Sequence, residues 1–168
     1  MLDQITSIIL LVDDSSDDVF LFSRLLLKAG VTNPVFPILD SEDALAFFDR
    51  AGAPKGGVRI PLVCFLDINM PRVNGFEVLR RIRSKDVFNQ MCVVMLSTSA
   101  APRDLRMSAQ LGAQCHVLKP LSAQTLQEVI GRAVSYSTNS STNPSETFAF
   151  AANQLRGKIP GNTTSAGP

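Results

Sequence analysis

The chain has no tryptophan, one tyrosine, one histidine and three cysteines in 168 residues. A single histidine, His116, excludes most catalytic and metal sites built on imidazole. Cys64, Cys92 and Cys115 each sit beside apolar residues and none falls in a CxxC spacing. They read as reduced core thiols, which excludes a disulfide framework and a zinc site. No apolar run reaches the roughly eighteen residues that a membrane span needs. The opening MLDQIT has neither the basic region nor the apolar stretch of a signal peptide. Charge of one sign is also lacking, with 16 Lys+Arg against 15 Asp+Glu. Bulk electrostatics therefore point to no nucleic-acid or membrane partner, and the expected location is the cytoplasm. Neither a GxxxxGK[ST] phosphate loop nor a GxSxG elbow is present.

What the chain does have is repetition. Short apolar runs recur at 7–12, 35–39, 62–66, 92–96 and 115–118, each rich in Val, Ile and Leu and nearly continuous. That is the pattern of strands buried on both faces, as in a parallel sheet. Helical periodicity fills the intervals at 17–29, 42–50, 75–85, 102–111 and 123–134. Ser15-Ser16, Ser41 and Ser122 stand where caps belong, and Gly30 and Gly112 where helices stop. In 75–85, Phe76, Leu79 and Ile82 share one face, placing Arg80, Arg81 and Arg83 outside on a solvated face. Met70 and Met95 read as packing residues. Five β-α repeats specify a doubly wound α/β domain, a five-stranded parallel sheet between two helical layers. The expected domain is 1–136. From Ser137 onward Ser, Thr, Asn, Gly and Pro dominate, so 137–168 is expected to be a disordered tail, with Phe148, Phe150 and Leu155 as an alternative docking element.

In an open parallel sheet, ligands bind beyond the carboxyl ends of the strands. There the sequence places Asp13-Asp14 after the first strand, Asp67 after the third, Ser97 after the fourth and Lys119 after the fifth. Three acids at one rim suit a hard cation, Mg²⁺ before others. Asp17 and Asp18 have a plainer place in the first turn of a helix, facing its positive end. A calcium loop is excluded, because the run has no central glycine and its twelfth position is Arg24. A cation with Lys119 would stabilise phosphoryl transfer, and Asp67 could act as a carboxylate nucleophile.

These residues resemble a receiver domain of a two-component response regulator, the CheY-like family of flavodoxin-like (βα)5 folds, over about residues 6–135. The resemblance is carried by Asp13-Asp14, by DINMPRVNG from Asp67 to Gly75, by Ser97 in LSTS and by Lys119-Pro120. The long connection AGAPKGGVRIP, the LSTS and the lack of an output domain resemble more narrowly the stand-alone cyanobacterial phytochrome regulators. The resemblance implies that Asp67 accepts phosphate from a sensor histidine kinase, and the narrower one implies a phytochrome-like kinase. It implies Mg²⁺ (or Mn²⁺) on Asp14 directly, on Asp13 largely through water, and on Asp67 and the Asn69 backbone carbonyl. Lys119 would pair with the phosphoryl oxygens, its bond to Pro120 would be cis, and Ser97 would hydrogen-bond the phosphoryl group. The family usually has Tyr or Phe three residues before the lysine. Here His116 stands, either as a half-exposed strand residue without special role or as a polar switch with its own pH response.

The output would be binding, to an unidentified downstream protein or to a second copy in a homodimer. The chain would not be an enzyme beyond its own phosphorylation and dephosphorylation. Two rivals remain at this point. A degenerate receiver would bind partners without phosphorylation. A Mg²⁺-dependent phosphatase with an Asp nucleophile would want a second acid two residues on, where this chain has Asn69.

Overall fold

A computed structural model describes residues 8–51 and 63–138. The elements are β1 (Ile9–Val12), α1 (Ser16–Lys28), β2 (Val35–Ile38), α2 (Ser41–Ala51), β3 (Val63–Asp67) and α3 (Gly75–Arg83). After a 3-10 turn at Asp86–Phe88 come β4 (Cys92–Ser97), α4 (Pro102–Gln110), β5 (Cys115–Leu118) and α5 (Ala123–Thr138). One sheet holds all five strands in parallel, in the order β2-β1-β3-β4-β5. The doubly wound fold read from the sequence is the fold observed. Between β1 and β3 the winding changes direction, which opens a crevice at the carboxyl edge.

Strand alternation splits the core in two. Leu10, Val12, Cys64, Leu66, Val93 and Met95 face Phe48 of α2 and Val78, Leu79 and Ile82 of α3. Ile9, Leu11, Phe65, Val94, Leu96 and Val117 face Phe22 and Leu26 of α1 and Leu126, Val129 and Ile130 of α5. With both faces covered, β1, β3 and β4 are buried at every position, so their sequences show no polar alternation. The edge strand β2 is partly exposed and carries Pro37, which only an edge tolerates.

Local signals set the boundaries. Ser15 Oγ accepts from Asp18 N at 3.2 Å, and Gly30 leaves α1 at φ 76°. Asn74 and Glu77 form a reciprocal cap at the start of α3. Ser122 Oγ accepts from Thr125 N at 3.0 Å. The expected domain boundary at Tyr136 falls inside α5, which continues to Thr138. The tail reading of 139–168 lies outside the described residues.

Three expectations are corrected. Ser41 is the first residue of α2 and does not cap it; Asp40 Oδ1 does, accepting from Glu42 N at 2.8 Å. Ser41 instead pins the β3–α3 loop, donating to Pro71 O at 2.9 Å and accepting from Val73 N at 3.3 Å. Arg83 is not on the solvated face. Its guanidinium donates to Gly112 O, Phe88 O, Met91 O and Gln114 Oε1 at 2.8–3.0 Å, because acceptors from the 3-10 segment and the α4–β5 turn converge at the end of α3. His116 is not half-exposed but 1% exposed, since α4 covers that face of β5.

Arg83 thus ties the end of α3 to the 3-10 segment and the α4–β5 turn with charge-assisted bonds, each worth about 1.5–3 kcal/mol. Arg83→Ala is expected to lower unfolding free energy by about 3 kcal/mol, allowing for overlap among the bonds. Urea denaturation checks this, and Arg80→Ala on the exposed face should change it little.

Candidate functional site

Asp67 ends β3, and Asp13 and Lys119 directly follow β1 and β5. Their odd numbering on strands paired in register turns all three toward the α1/α5 side. Lys119 Nζ donates to Asp13 Oδ2 at 2.7 Å, to Asp18 Oδ2 at 2.7 Å and lies 3.0 Å from Asp67 Oδ1. All three ammonium protons therefore have carboxylate partners. Asp14 projects to solvent beside them, and carboxylate oxygens of Asp13, Asp14 and Asp67 lie within 4.8 Å of one another.

The electrostatics follow from burial. Asp13 is 2% and Asp67 5% exposed. Burial pushes the Asp67 carboxyl above the ordinary carboxylate range, Lys119 pulls it back, and Asp13 and Asp14 push it up again. Burial alone would lower the Lys119 ammonium, but hydrogen bonds to Asp13, Asp18 and Asp67 outweigh that and hold it above its usual range. Burial, with Asp13 and Asp14 beside it, outweighs the lysine, so Asp67 gains a proton more readily than an isolated acid. A hard divalent cation would relieve the same repulsion. The oxygen donors present suit Mg²⁺ or Mn²⁺.

The rest of the rim is built by the loops. The β3–α3 loop brings Asn69 to the surface beside Asp67, and Arg72 holds that loop from a left-handed φ of 65° by pairing with Asp40 and Glu42. Gly75 N donates to Ile68 O at 3.0 Å, pulling α3 against the end of β3. The bond between Lys119 and Pro120 is cis, as expected. Ser97 is fully buried, and its hydroxyl is engaged locally: it donates to Ser99 O at 3.1 Å and accepts from Ser99 N at 2.9 Å. His116 pairs in register with Met95 and so faces the opposite side of the sheet from Lys119. The structure thus assembles Asp13, Asp14, Asp67 and Lys119 and leaves His116 apart from them.

One participant escaped the sequence reading. Asp18 had only a helix-end role there, yet its carboxylate meets Lys119. Four acids in six residues were a signal of excess, but which acid turns inward depends on how α1 docks. Beside this cluster an apolar cavity of about 260 Å³ runs between α1 and the turn after β5, lined by Leu21, Leu25, Leu96, Pro120 and Leu121.

A crevice at the switch point of a β2-β1-β3-β4-β5 sheet, holding acids against a lysine, is the architecture of a receiver. The chain belongs to the response regulator receiver domain family, which matches residues 9–131. It is 32% identical over 130 residues to the probable methanogenesis regulatory protein FilR2 of Methanothrix harundinacea, covering 77% of this chain and 82% of that protein. To the response regulator Rcp1 of Synechocystis sp. it is 29% identical over 123 residues, covering 73% and 83%. The structure of the bacteriophytochrome response regulator AtBRR matches with a TM-score of 0.64 at 30% identity, covering 76% of this chain and 92% of that one. The Mn²⁺-bound form of Rcp1 matches with a TM-score of 0.61 at 29% identity, covering 74% and 90%. Among the described residues no helix is long and apolar enough to cross a membrane.

Proposed function

We propose that this receiver is a phosphorylation switch in which Asp67 accepts a phosphoryl group from the phosphohistidine of a sensor histidine kinase. The observation that carries the reading is the convergence of Asp13, Asp14 and Asp67 within 4.8 Å, with Lys119 Nζ 3.0 Å from Asp67 Oδ1. An Asp67 oxygen attacks phosphorus, the P–N bond breaks, and the imidazole nitrogen keeps the electron pair. Asp13, Asp14, Asp67 and the Asn69 carbonyl would hold Mg²⁺ or Mn²⁺, which supplies charge neutralisation for the phosphoryl oxygens. Asp13 already accepts from Ser15 N at 2.9 Å and from Lys119, which favours Asp14 for direct ligation. Lys119 stays bound to Asp67 and can pass to a phosphoryl oxygen without leaving the pocket.

The likeness to the bacteriophytochrome response regulator AtBRR supports a phytochrome-like kinase as donor, and the apolar cavity beside Lys119 offers it a docking place. Ser97 leaves Ser99 to bond the phosphoryl group, which shifts the surface near β4 and β5 toward a downstream protein or a second copy of the chain. The receiver then spans 1–136 with the end of α5, acts in the cytoplasm, and turns over no substrate but its own acyl phosphate.

Incubation with acetyl phosphate and Mg²⁺ is expected to add one phosphoryl group by intact mass. Asp67→Asn or EDTA should abolish the adduct. A wild-type chain that stays unmodified and also fails to bind beryllofluoride would overturn the reading.

A further inference from the structure

His116 sits where the sequence offered two readings, and its burial removes the half-exposed one. The ring is buried, with Nδ1 2.9 Å from Ser108 Oγ, while Nε2 has no hydrogen-bond partner. Ser108 Oγ spends its single proton on Asp104 O at 2.8 Å. Oriented that way it accepts from the ring, an arrangement that fits the neutral tautomer protonated at Nδ1 and leaves the buried Nε2 without a proton.

That bond matters because α4 is weakly anchored. Ser108 is its one buried residue, and its N-cap, Ala101, supplies no side-chain bond. The groups around the ring come from three elements. Asp104 of α4 is the charged group bearing on it, β4 presents Met95, and the β4–α4 loop presents the Ser99 backbone, which favours a charged ring. The same Ser99 backbone holds the Ser97 hydroxyl.

We propose that His116 is a proton-sensitive latch: neutral, it holds α4 through Ser108, and on taking a second proton at Nε2 it engages the Ser99 carbonyl and draws the β4–α4 loop, with Ser97, toward β5. Burial opposes that proton and keeps the ring below the ordinary histidine range. A base lowered in the folded state costs stability as pH falls below about 6.5, until the folded ring itself titrates. Linkage makes the effect reciprocal: occupancy of Asp67, if it moves this loop, must change the ring's proton affinity by the same factor. Only this last step rests on the phosphoacceptor reading.

Because the chain has one histidine, the imidazole nitrogens of the full-length ¹⁵N-labelled protein are assigned without ambiguity. Long-range ¹H–¹⁵N spectra near neutral pH should show protonated Nδ1 and bare Nε2, and Ser108→Ala should mix the tautomers. Acidification through the ring's midpoint should move the Ser99 and Ser108 amides in wild type but not in His116→Asn, which keeps an Nδ-type donor without titrating. Beryllofluoride with Mg²⁺ should change the ring's proton affinity about fivefold, the lower end of ordinary coupling. An Nε2-protonated ring, or a titrating ring that leaves Ser99 unmoved, overturns the latch. An unchanged midpoint, with Asp67 amide shifts proving that beryllofluoride is bound, overturns its coupling to the site. Absence of those Asp67 shifts counts instead against the phosphoacceptor reading, and the acid titration still decides the latch.

Discussion

Lys119→Met lowers the unfolding free energy by about 3 kcal/mol in metal-free protein near neutral pH, as expected when one partner leaves a buried charge cluster. Lys119 is only 15% exposed and bridges two nearly buried acids, Asp13 and Asp67. Without it neither acid has a cation partner among the described residues, and their mutual repulsion is unopposed. The loss should depend on pH in a defined direction. Asp67 is already raised, first by burial, and losing its lysine raises it further. An acid raised in the folded state binds its proton more readily there, so stability is lost as pH rises from the ordinary Asp range through the folded value. The lysine itself is held above its usual range, so it stays charged across this window in wild type. Urea denaturation at about pH 5 and about pH 8 should therefore diverge more in Lys119→Met than in wild type. Saturating Mg²⁺ should narrow the gap by replacing the missing positive charge. Phosphorylation by acetyl phosphate should slow by about a hundredfold or more even with Mg²⁺, because a preorganised cation is lost from the phosphoryl oxygens.

Gly75→Ala should be comparably damaging without touching any charge. A Cβ at Gly75 would lie 2.2 Å from Asp67 O and 2.9 Å from Ile68 Cα, and both are backbone atoms that no rotamer change can move. Either α3 withdraws or the end of β3 shifts. Overpacking of this kind costs about 3 kcal/mol. A displacement near 1 Å at Asp67, the proposed nucleophile, would slow transfer by about a hundredfold. Gly131→Ala is the control. It lies in α5 with open space around it, and replacing a mid-helix glycine there should stabilise by about 0.5–1 kcal/mol. Denaturation midpoints and the rate of adduct formation by intact mass test both. Equal stability of Gly75→Ala and wild type would show that the contact between α3 and β3 yields more easily than these distances imply.

Much of the site was legible because its residues follow apolar strands directly. Burial on both faces writes a strand as an unbroken apolar run, and the polar residue that ends it stands at the carboxyl edge. Asp13, Asp14, Asp67 and Lys119 were found that way, and all four lie together. Gly75 carried a weaker sign, because an Asn-Gly pair ahead of a helix reads first as a turn. Arg83 was misplaced because helical periodicity assigns a face but not the neighbour: a guanidinium next to the exposed Arg80 and Arg81 can still turn back onto turn carbonyls. His116 was misjudged for a related reason. Polarity in a strand suggests exposure, and only α4, supplying Ser108, makes burial of an imidazole tolerable.

By itself the sequence determined the parallel sheet, the order of its elements and the rim where charge gathers, since alternation, capping and strand length are local properties. Tertiary structure alone decided which acids share the lysine, how closely α3 may approach Asp67, and that the one histidine is buried behind α4 against Ser108. Those depend on distances between elements far apart in the chain, and such distances are set by packing rather than by any residue's neighbours in sequence.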